Sequence, residues 1–216
     1  MARPQDLVDA ARGAGVRDAR VLDAIASVPR AGFVPDDVRA RAYLDVPLSI
    51  PHDQVTTQPS LVARMLEGLV LRGQERVLEV GGGYGWQTAL LARLAREVVS
   101  VERWSDLAAA AVANLEAAGI GGWEVAVGDG TAGLARRAPY DAILVAAAHP
   151  QVPATLVGQL VTGGRLVQPI GPGGHERVVA FTKVGGGLVE REVLTAAHFV
   201  PLWGRHGFPS PEGDER

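Results

Sequence analysis

Val77 to Gln87 reads VLEVGGGYGWQ, and this stretch organises the rest of the chain. Val77, Leu78 and Val80 have the character of a short buried strand, which runs into glycines at 81, 82, 83 and 85 before a helical pattern opens at Trp86. A strand, a tight glycine turn and a helix N-terminus make a ligand cradle. The glycines permit positive φ and close backbone approach, and the unpaired N–H groups of the first helical turn point into the same space. Glu79 lies two residues before the turn, and Glu102 ends the next apolar run, VVSVE. Two carboxylates beside such a turn suit a ligand with hydroxyls and a positive charge.

A nicotinamide fingerprint needs glycines at the first, third and sixth positions. Here Gly81 and Gly83 are followed by Trp86 where the third glycine belongs. The spacing is instead E-x-G-x-G-x-G, at Glu79, Gly81, Gly83 and Gly85, and it resembles the glycine motif of class I S-adenosylmethionine methyltransferases. The resemblance implies that Glu102, at the tip of the second strand, accepts hydrogen bonds from the two ribose hydroxyls of the cofactor.

Working outward, strands and helices alternate downstream: a helix over 86–96, a strand over 98–102, a helix over 105–118, a third strand over 123–127 and a fourth over 140–147. Alternation of this kind predicts a doubly wound, Rossmann-like α/β sheet. GDG at 128–130 ends the third strand and faces the same crevice, so Asp129 is a candidate partner for an adenine amino group. After a helix at 152–160 comes the strand GGRLVQPIG, then two strands joined by the glycines 185–187. These close the sheet with a C-terminal antiparallel β-hairpin.

Upstream, residues 5–46 carry apolar side chains at helical spacing, as in Val21, Leu22, Ile25 and Val28, and Phe33 sits between Pro29 and Pro35 as an anchor onto the main body. YLDVPLSIPHDQVTTQP is rich in proline and polar residues and reads as irregular, before a helix over 60–71. A long irregular segment ahead of the cofactor strand suggests a cover for the pocket. The expected division is therefore a helical N-terminal segment, 1–72, with a covering loop at about 47–59; a cofactor-binding core, 73–208; and a disordered tail, 209–216.

Several stretches together resemble the protein-L-isoaspartate O-methyltransferase family: VPRAGFVPDDVRARAYLDVPLSI, the QVTTQP loop, VLEVGGGYGWQTALLA, VVSVER, VAVGDG, APYDAILVAAA, GGRLVQPIG and HFVPL. The resemblance runs from about Asp18 to about Leu202. It implies methyl transfer from S-adenosylmethionine, released as S-adenosylhomocysteine, to the side-chain carboxylate of an L-isoaspartyl residue. The ester then closes to a succinimide that hydrolyses partly to normal aspartate. Carried over by position, Gln54, Val55, Thr56 and Thr57 lie against the methyl donor and the substrate carboxylate, with Thr57 in the place of the family's usual active-site serine. Glu79, Gly81, Gly83, Gly85, Glu102, Arg103, Asp129 and Gly130 fall to the cofactor. Asp53, Val55, Tyr84, Trp86 and Trp203 also depart from the residues most often found there.

The 216 residues, 47% hydrophobic, fit one domain with a sizeable core, and a net charge of −3 offers no electrostatic footprint for nucleic acid. Without cysteines there are no disulfides or thiolate sites, and five scattered histidines give no metal-ligand spacing. No signal peptide and no membrane-length apolar run are present, so a cytoplasmic protein, read as a monomer with a protein or peptide substrate, is expected. A carboxylate acceptor is already ionised at neutral pH and needs no general base. Catalysis is therefore expected to be positioning and desolvation. Two alternatives stand beside this reading: a relative that methylates a normal aspartate in a ribosomally made peptide to form an aspartimide, and a non-catalytic binding module that retains the fold.

Overall fold

Two short helices begin the structure, a computed structural model that describes residues 3–172 and 174–209. Helix α1 (Pro4–Gly13) starts with proline in its first turn and buries Leu7, Val8 and Ala11. Helix α2 (Ala19–Ser27) is capped by Asp18, whose carboxylate accepts from the Arg20 N–H at 2.8 Å, and buries Val21, Leu22 and Ile25. Two 3-10 turns follow, and Phe33 at the end of the first is only 1% exposed. It is the anchor its position between prolines suggests.

The segment expected to be irregular is instead a small antiparallel hairpin, β1 (Leu48–Ile50) with β2 (Gln54–Thr56). Pro47 and Pro51 lie just outside a strand of three residues, where their missing N–H groups disrupt nothing. The chain reverses at His52 and Asp53, both in the left-handed region at φ 63° and 53°. Helix α3 (Pro59–Gly68) then leads to the main sheet.

That sheet has seven strands: β3 (Arg76–Val80), β4 (Glu97–Glu102), β5 (Trp123–Val127), β6 (Tyr140–Val145), β7 (Leu160–Ile170), β8 (Glu176–Val184) and β9 (Gly187–Ala197). Their order is β5-β4-β3-β6-β7-β8-β9. The pairs from β5 to β7 are parallel, while β7–β8 and β8–β9 are antiparallel. The C-terminal hairpin is thus β8–β9, and it continues from β7 as a meander. Helices α4 (Trp86–Leu94), α5 (Ser105–Ala117) and α6 (Ala154–Gln159) connect the parallel strands. After β3 the chain moves outward to β4 and β5, then returns to β6 on the other side of β3. The strand order reverses at that point, and a crevice opens at the carboxyl ends.

Both faces of β3 are buried, as a central parallel strand requires. Val77 joins a core with α1, α2, α3 and α4, including Leu7, Ile25, Leu66 and Leu90. Leu78 and Val80 face the other way, against Val99, Tyr140 and Leu166. The N-terminal helices therefore share one core with the sheet. Among the described residues no helix is long and apolar enough to cross a membrane. Of the predicted tail, 209–216, only Pro209 is among the described residues.

Candidate active site

The glycine turn is built as its spacing predicts. Gly81 adopts φ +88°, and Gly85, at φ +87°, is the left-handed N-cap of α4. Gly82 is required by space: a Cβ there would stand 2.3 Å from Ser100 Oγ on β4. Glu79 is fully buried behind this turn, where its carboxylate accepts from Gln87 Nε2 at 2.9 Å and Thr88 Oγ1 at 2.5 Å. Burial pushes this carboxyl above its ordinary range, while the Thr88 and Gln87 bonds act in the opposite sense. Glu79 therefore braces the first turn of α4 against β3.

In front of the turn lies a cavity of about 940 Å³ including its mouth. Its floor is Val80 to Gly83, and its walls are Glu102 to Trp104, the hairpin residues Gln54 to Thr57, Ala146 and Ala147, and Val200 to Trp203. Glu102 is 5% exposed; one oxygen accepts from Gly83 N–H at 2.9 Å and the other from Trp104 N–H at 3.0 Å. These bonds aim the carboxylate from the tip of β4, and each oxygen retains acceptor capacity toward the cavity. The Arg103 guanidinium lies 5.0 Å over the Trp104 ring.

Of the residues singled out in the sequence, Gln54, Val55, Thr56, Thr57, Gly81, Gly83, Glu102, Arg103 and Gly130 all line this one cavity. Glu79, Gly85 and Asp129 do not. Gly85 turns toward α5, where an added Cβ would meet Ala111 at 3.2 Å. Asp129 takes part in another contact: Oδ1 accepts from Thr131 N–H and Oγ1 at 2.9 and 2.6 Å, and Oδ2 accepts from Arg205 N–H at 2.8 Å. It ties down the C-terminal strap, which also bonds Ala148 through Val200 and Leu202 at 2.8 and 2.7 Å. The sequence makes Asp129 a candidate partner for an adenine amino group; in the structure it lies outside the cavity lining, with both carboxylate oxygens bonded to Thr131 and the strap. The acid and its turn were visible in the sequence; the returning strap, far away in the chain, was not.

A second cavity, about 1200 Å³ including open space, is lined by residues of the loop around Gln58, by Arg64 and by the end of β9 with the strap that follows it. It shares Val55, Thr57, Ala146 and Val200 with the first. Thr57 thus stands at the junction of the two, and its hydroxyl has no hydrogen-bond partner among the described residues.

Two contributors to the site lacked any clear sequence signal. Arg30, entirely buried, reaches the loop from behind and donates to Thr56 Oγ1 at 2.6 Å and the Thr57 carbonyl at 3.2 Å. Trp104 roofs the cavity, and its ring carries the stacked imidazole of His52, with centroids 3.9 Å apart. His149 lies outside the cavity lining, its Nδ1 2.8 Å from the Gln151 carbonyl.

Comparison with known proteins places this geometry in a lineage. The family profile described as protein-L-isoaspartate(D-aspartate) O-methyltransferase matches residues 2–207. A protein-L-isoaspartate O-methyltransferase of Methanoculleus marisnigri is 49% identical over 197 residues, covering 91% of this chain and 89% of its own length. One of Anaeromyxobacter dehalogenans is 50% identical over 190 residues, covering 87% of this chain and 91% of its own. A solved protein-L-isoaspartate O-methyltransferase superposes with a TM-score of 0.82 at 29% identity over 95% of this chain and 67% of that one. A Plasmodium falciparum protein solved with S-adenosyl-L-homocysteine has the same fold, with a TM-score of 0.81 at 23% identity over 94% of this chain and 99% of that one. With the profile spanning nearly its whole length and relatives near half identity, the chain belongs to the protein-L-isoaspartate(D-aspartate) O-methyltransferase family.

Proposed function

We propose that the chain is an S-adenosylmethionine-dependent carboxyl methyltransferase acting on L-isoaspartyl residues of proteins or peptides, with Thr57 as the residue that orients the acceptor. The observation that carries this reading is the position of Thr57 on the boundary between two cavities, one with the glycine turn and Glu102, the other open along the surface. Methyl transfer needs such a boundary, with donor and acceptor approaching from opposite sides. The relatives' names give the acceptor class, and their near-half identity over most of the chain favours repair over the peptide-tailoring and scaffold alternatives.

The residues present fit the cofactor. The cavity floor is glycine backbone, which admits close approach, and Glu102 is an acceptor suited to ribose hydroxyls. S-adenosylmethionine, when bound, supplies a methyl group on a sulfonium, already activated for transfer. Gly81, Gly83 and Gly130 provide the close-packed floor, and Arg103 and Trp104 form the wall beside Glu102. Glu79, Gly85 and Asp129 support the site from outside.

The acceptor carboxylate is ionised at neutral pH, so no residue has to remove a proton. Thr57 contributes a hydroxyl donor to one carboxylate oxygen, leaving the other in line for methyl transfer. The hairpin and the strap enclose the junction and limit water. The methyl ester that leaves is a reactive acyl group, and its ring closure to a succinimide needs no help from the enzyme.

The test is to incubate the protein with labelled S-adenosylmethionine and an isoaspartyl peptide. Label in the peptide, released as methanol under mild base, is expected for a carboxyl ester. Base-stable label, or none while the cofactor binds, would contradict the reading.

A further inference from the structure

Among the described residues, the most deeply buried cation stands directly behind the loop that carries Thr57. Arg30 is 0% exposed, in the turn between α2 and the hairpin. Its Nη1 donates to the carbonyls of Ala42, Leu44 and Val46 at 3.2–3.3 Å. Its Nη2 donates to Val46 O at 3.2 Å, Thr56 Oγ1 at 2.6 Å and Thr57 O at 3.2 Å. The guanidinium also lies 5.4 Å from the ring centroid of Trp86, the first residue of α4 and part of the cavity wall. One side chain thus fixes the 42–46 loop, the catalytic loop and the helix that opens the cofactor cradle.

The six bonds end on five acceptors, all of them neutral oxygens. No carboxylate forms an ion pair with Arg30 among the described residues. The acid acting on it through space, Asp45, is engaged by Ser60 N–H at 2.8 Å and Gln58 Nε2 at 2.9 Å. Burial brings the guanidinium down to about 10, opposed by Asp45, so it remains charged at neutral pH. A buried cation whose two Nη groups are hydrogen-bonded, but whose Nε has no partner among the described residues and whose charge no carboxylate neutralises, is an expensive feature for stability alone. It becomes useful beside a site that must hold an anion.

We propose that Arg30 is a positioning residue for the acceptor carboxylate, acting through the Thr56 hydroxyl and the Thr57 backbone. This rests on the carboxyl-transfer reading above. By accepting from a cation, Thr56 Oγ1 is polarised, and its own proton has no acceptor among the described residues while Thr56 lines the cavity. Thr56 and Thr57 then present two hydroxyl donors to a carboxylate, the first strengthened by the charge behind it. The bond from Nη2 to Thr57 O sets the peptide plane that aims the second. A lysine retains the charge but not the planar fork that spans these acceptors.

Parent protein, Arg30→Lys, Thr56→Val, Thr56→Ser and the double variant Arg30→Lys/Thr56→Val are compared for kcat and KM on an isoaspartyl peptide and for S-adenosylmethionine Kd by calorimetry. Thr56→Val is expected to lose about tenfold or more in kcat with cofactor Kd unchanged, and Thr56→Ser to recover the parental rate. Arg30→Lys is expected to fall at least as far, and the double variant no further than the worse single one, because the two residues act as a unit. Parental kcat in Thr56→Val overturns the proposal even where Arg30→Lys does not fold. Fully additive losses overturn it as well. A parent that binds the cofactor yet methylates no isoaspartyl peptide overturns the functional reading and this proposal together, whereas an active parent with unaffected variants overturns this proposal alone.

Discussion

His52 Nε2 lies 2.9 Å from both carboxylate oxygens of Asp106, while the same imidazole lies flat on Trp104 with the two rings 2° from parallel. The hairpin turn is thereby fastened to the first turn of α5 across the roof of the cofactor cavity. The two left-handed residues at 52 and 53 place the ring there, a strained arrangement that the two contacts stabilise.

Removing that ring should loosen the roof rather than the floor. His52→Ala is expected to speed release of the product S-adenosylhomocysteine by about two- to tenfold, the scale of one lost ring pairing, with little change in melting temperature. Stopped-flow displacement measures this. The His52 hydrogen bond holds the Asp106 carboxyl below its ordinary value. The fastening is therefore fully present above the ordinary carboxylate range and lost as pH falls through the depressed value. Loss of the Asp106 charge should quicken release at the acid end, below about pH 4, and Asp106→Asn should abolish that step.

Glu79 and Glu102 are two carboxylates beside one turn with separable roles. Glu79→Ala strands the buried donors of Gln87 and Thr88 and should lower stability by about 2–4 kcal/mol. Glu102→Ala should instead weaken cofactor binding about tenfold or more while costing less stability. Thermal unfolding and calorimetry on both variants separate the roles. An unchanged Kd in Glu102→Ala would refute the ribose assignment.

Thr57→Val should retain cofactor binding and lose about ten- to a hundredfold in kcat, the worth of one hydrogen bond to a charged group. Thr57→Ser should retain activity, since the hydroxyl is kept and only a methyl group is removed. Single-turnover methyl transfer with saturating cofactor measures both, and parental turnover in the valine variant would remove Thr57 from the mechanism.

The parallel half of the fold was legible because its residues announce themselves: Val98, Val99 and Val101 form a run buried on both faces, and Gly85 ends one pattern as Trp86 begins another. The third strand has the bounds its sequence suggested, Trp123–Val127. The hairpin was not legible, because three residues between prolines are too few for an alternation to be read. Side-chain direction at the turn was also hidden. Glu79 sits at the spacing of a ligand residue, yet the pleat of β3 turns it behind the glycines toward Thr88. Arg30 left no mark, because its acceptors are mostly backbone carbonyls, which carry no residue identity.

At the amino ends of the strands, away from the site, Glu97 receives Arg76 Nε at 2.8 Å and pairs with Arg137. The Arg76 hydrogen bond holds this carboxyl below its ordinary range. Its contribution is present above about pH 4.3 and lost as pH falls through the depressed folded value. Glu97→Gln should therefore lower Tm by about 2–4 °C at neutral pH, for roughly 1 kcal/mol, and by progressively less in acid, with kcat unchanged. Calorimetric scans across the acid range test the sign.

The central claim is that Thr57 and its loop present an isoaspartyl carboxylate to the methyl donor. The direct measurement is methyl transfer from labelled S-adenosylmethionine to two short peptides identical except for L-isoaspartate or normal aspartate at one position. The account predicts label in the isoaspartyl peptide and none above background in the aspartyl one. Label in the aspartyl peptide alone, or in neither while the cofactor binds, would contradict it.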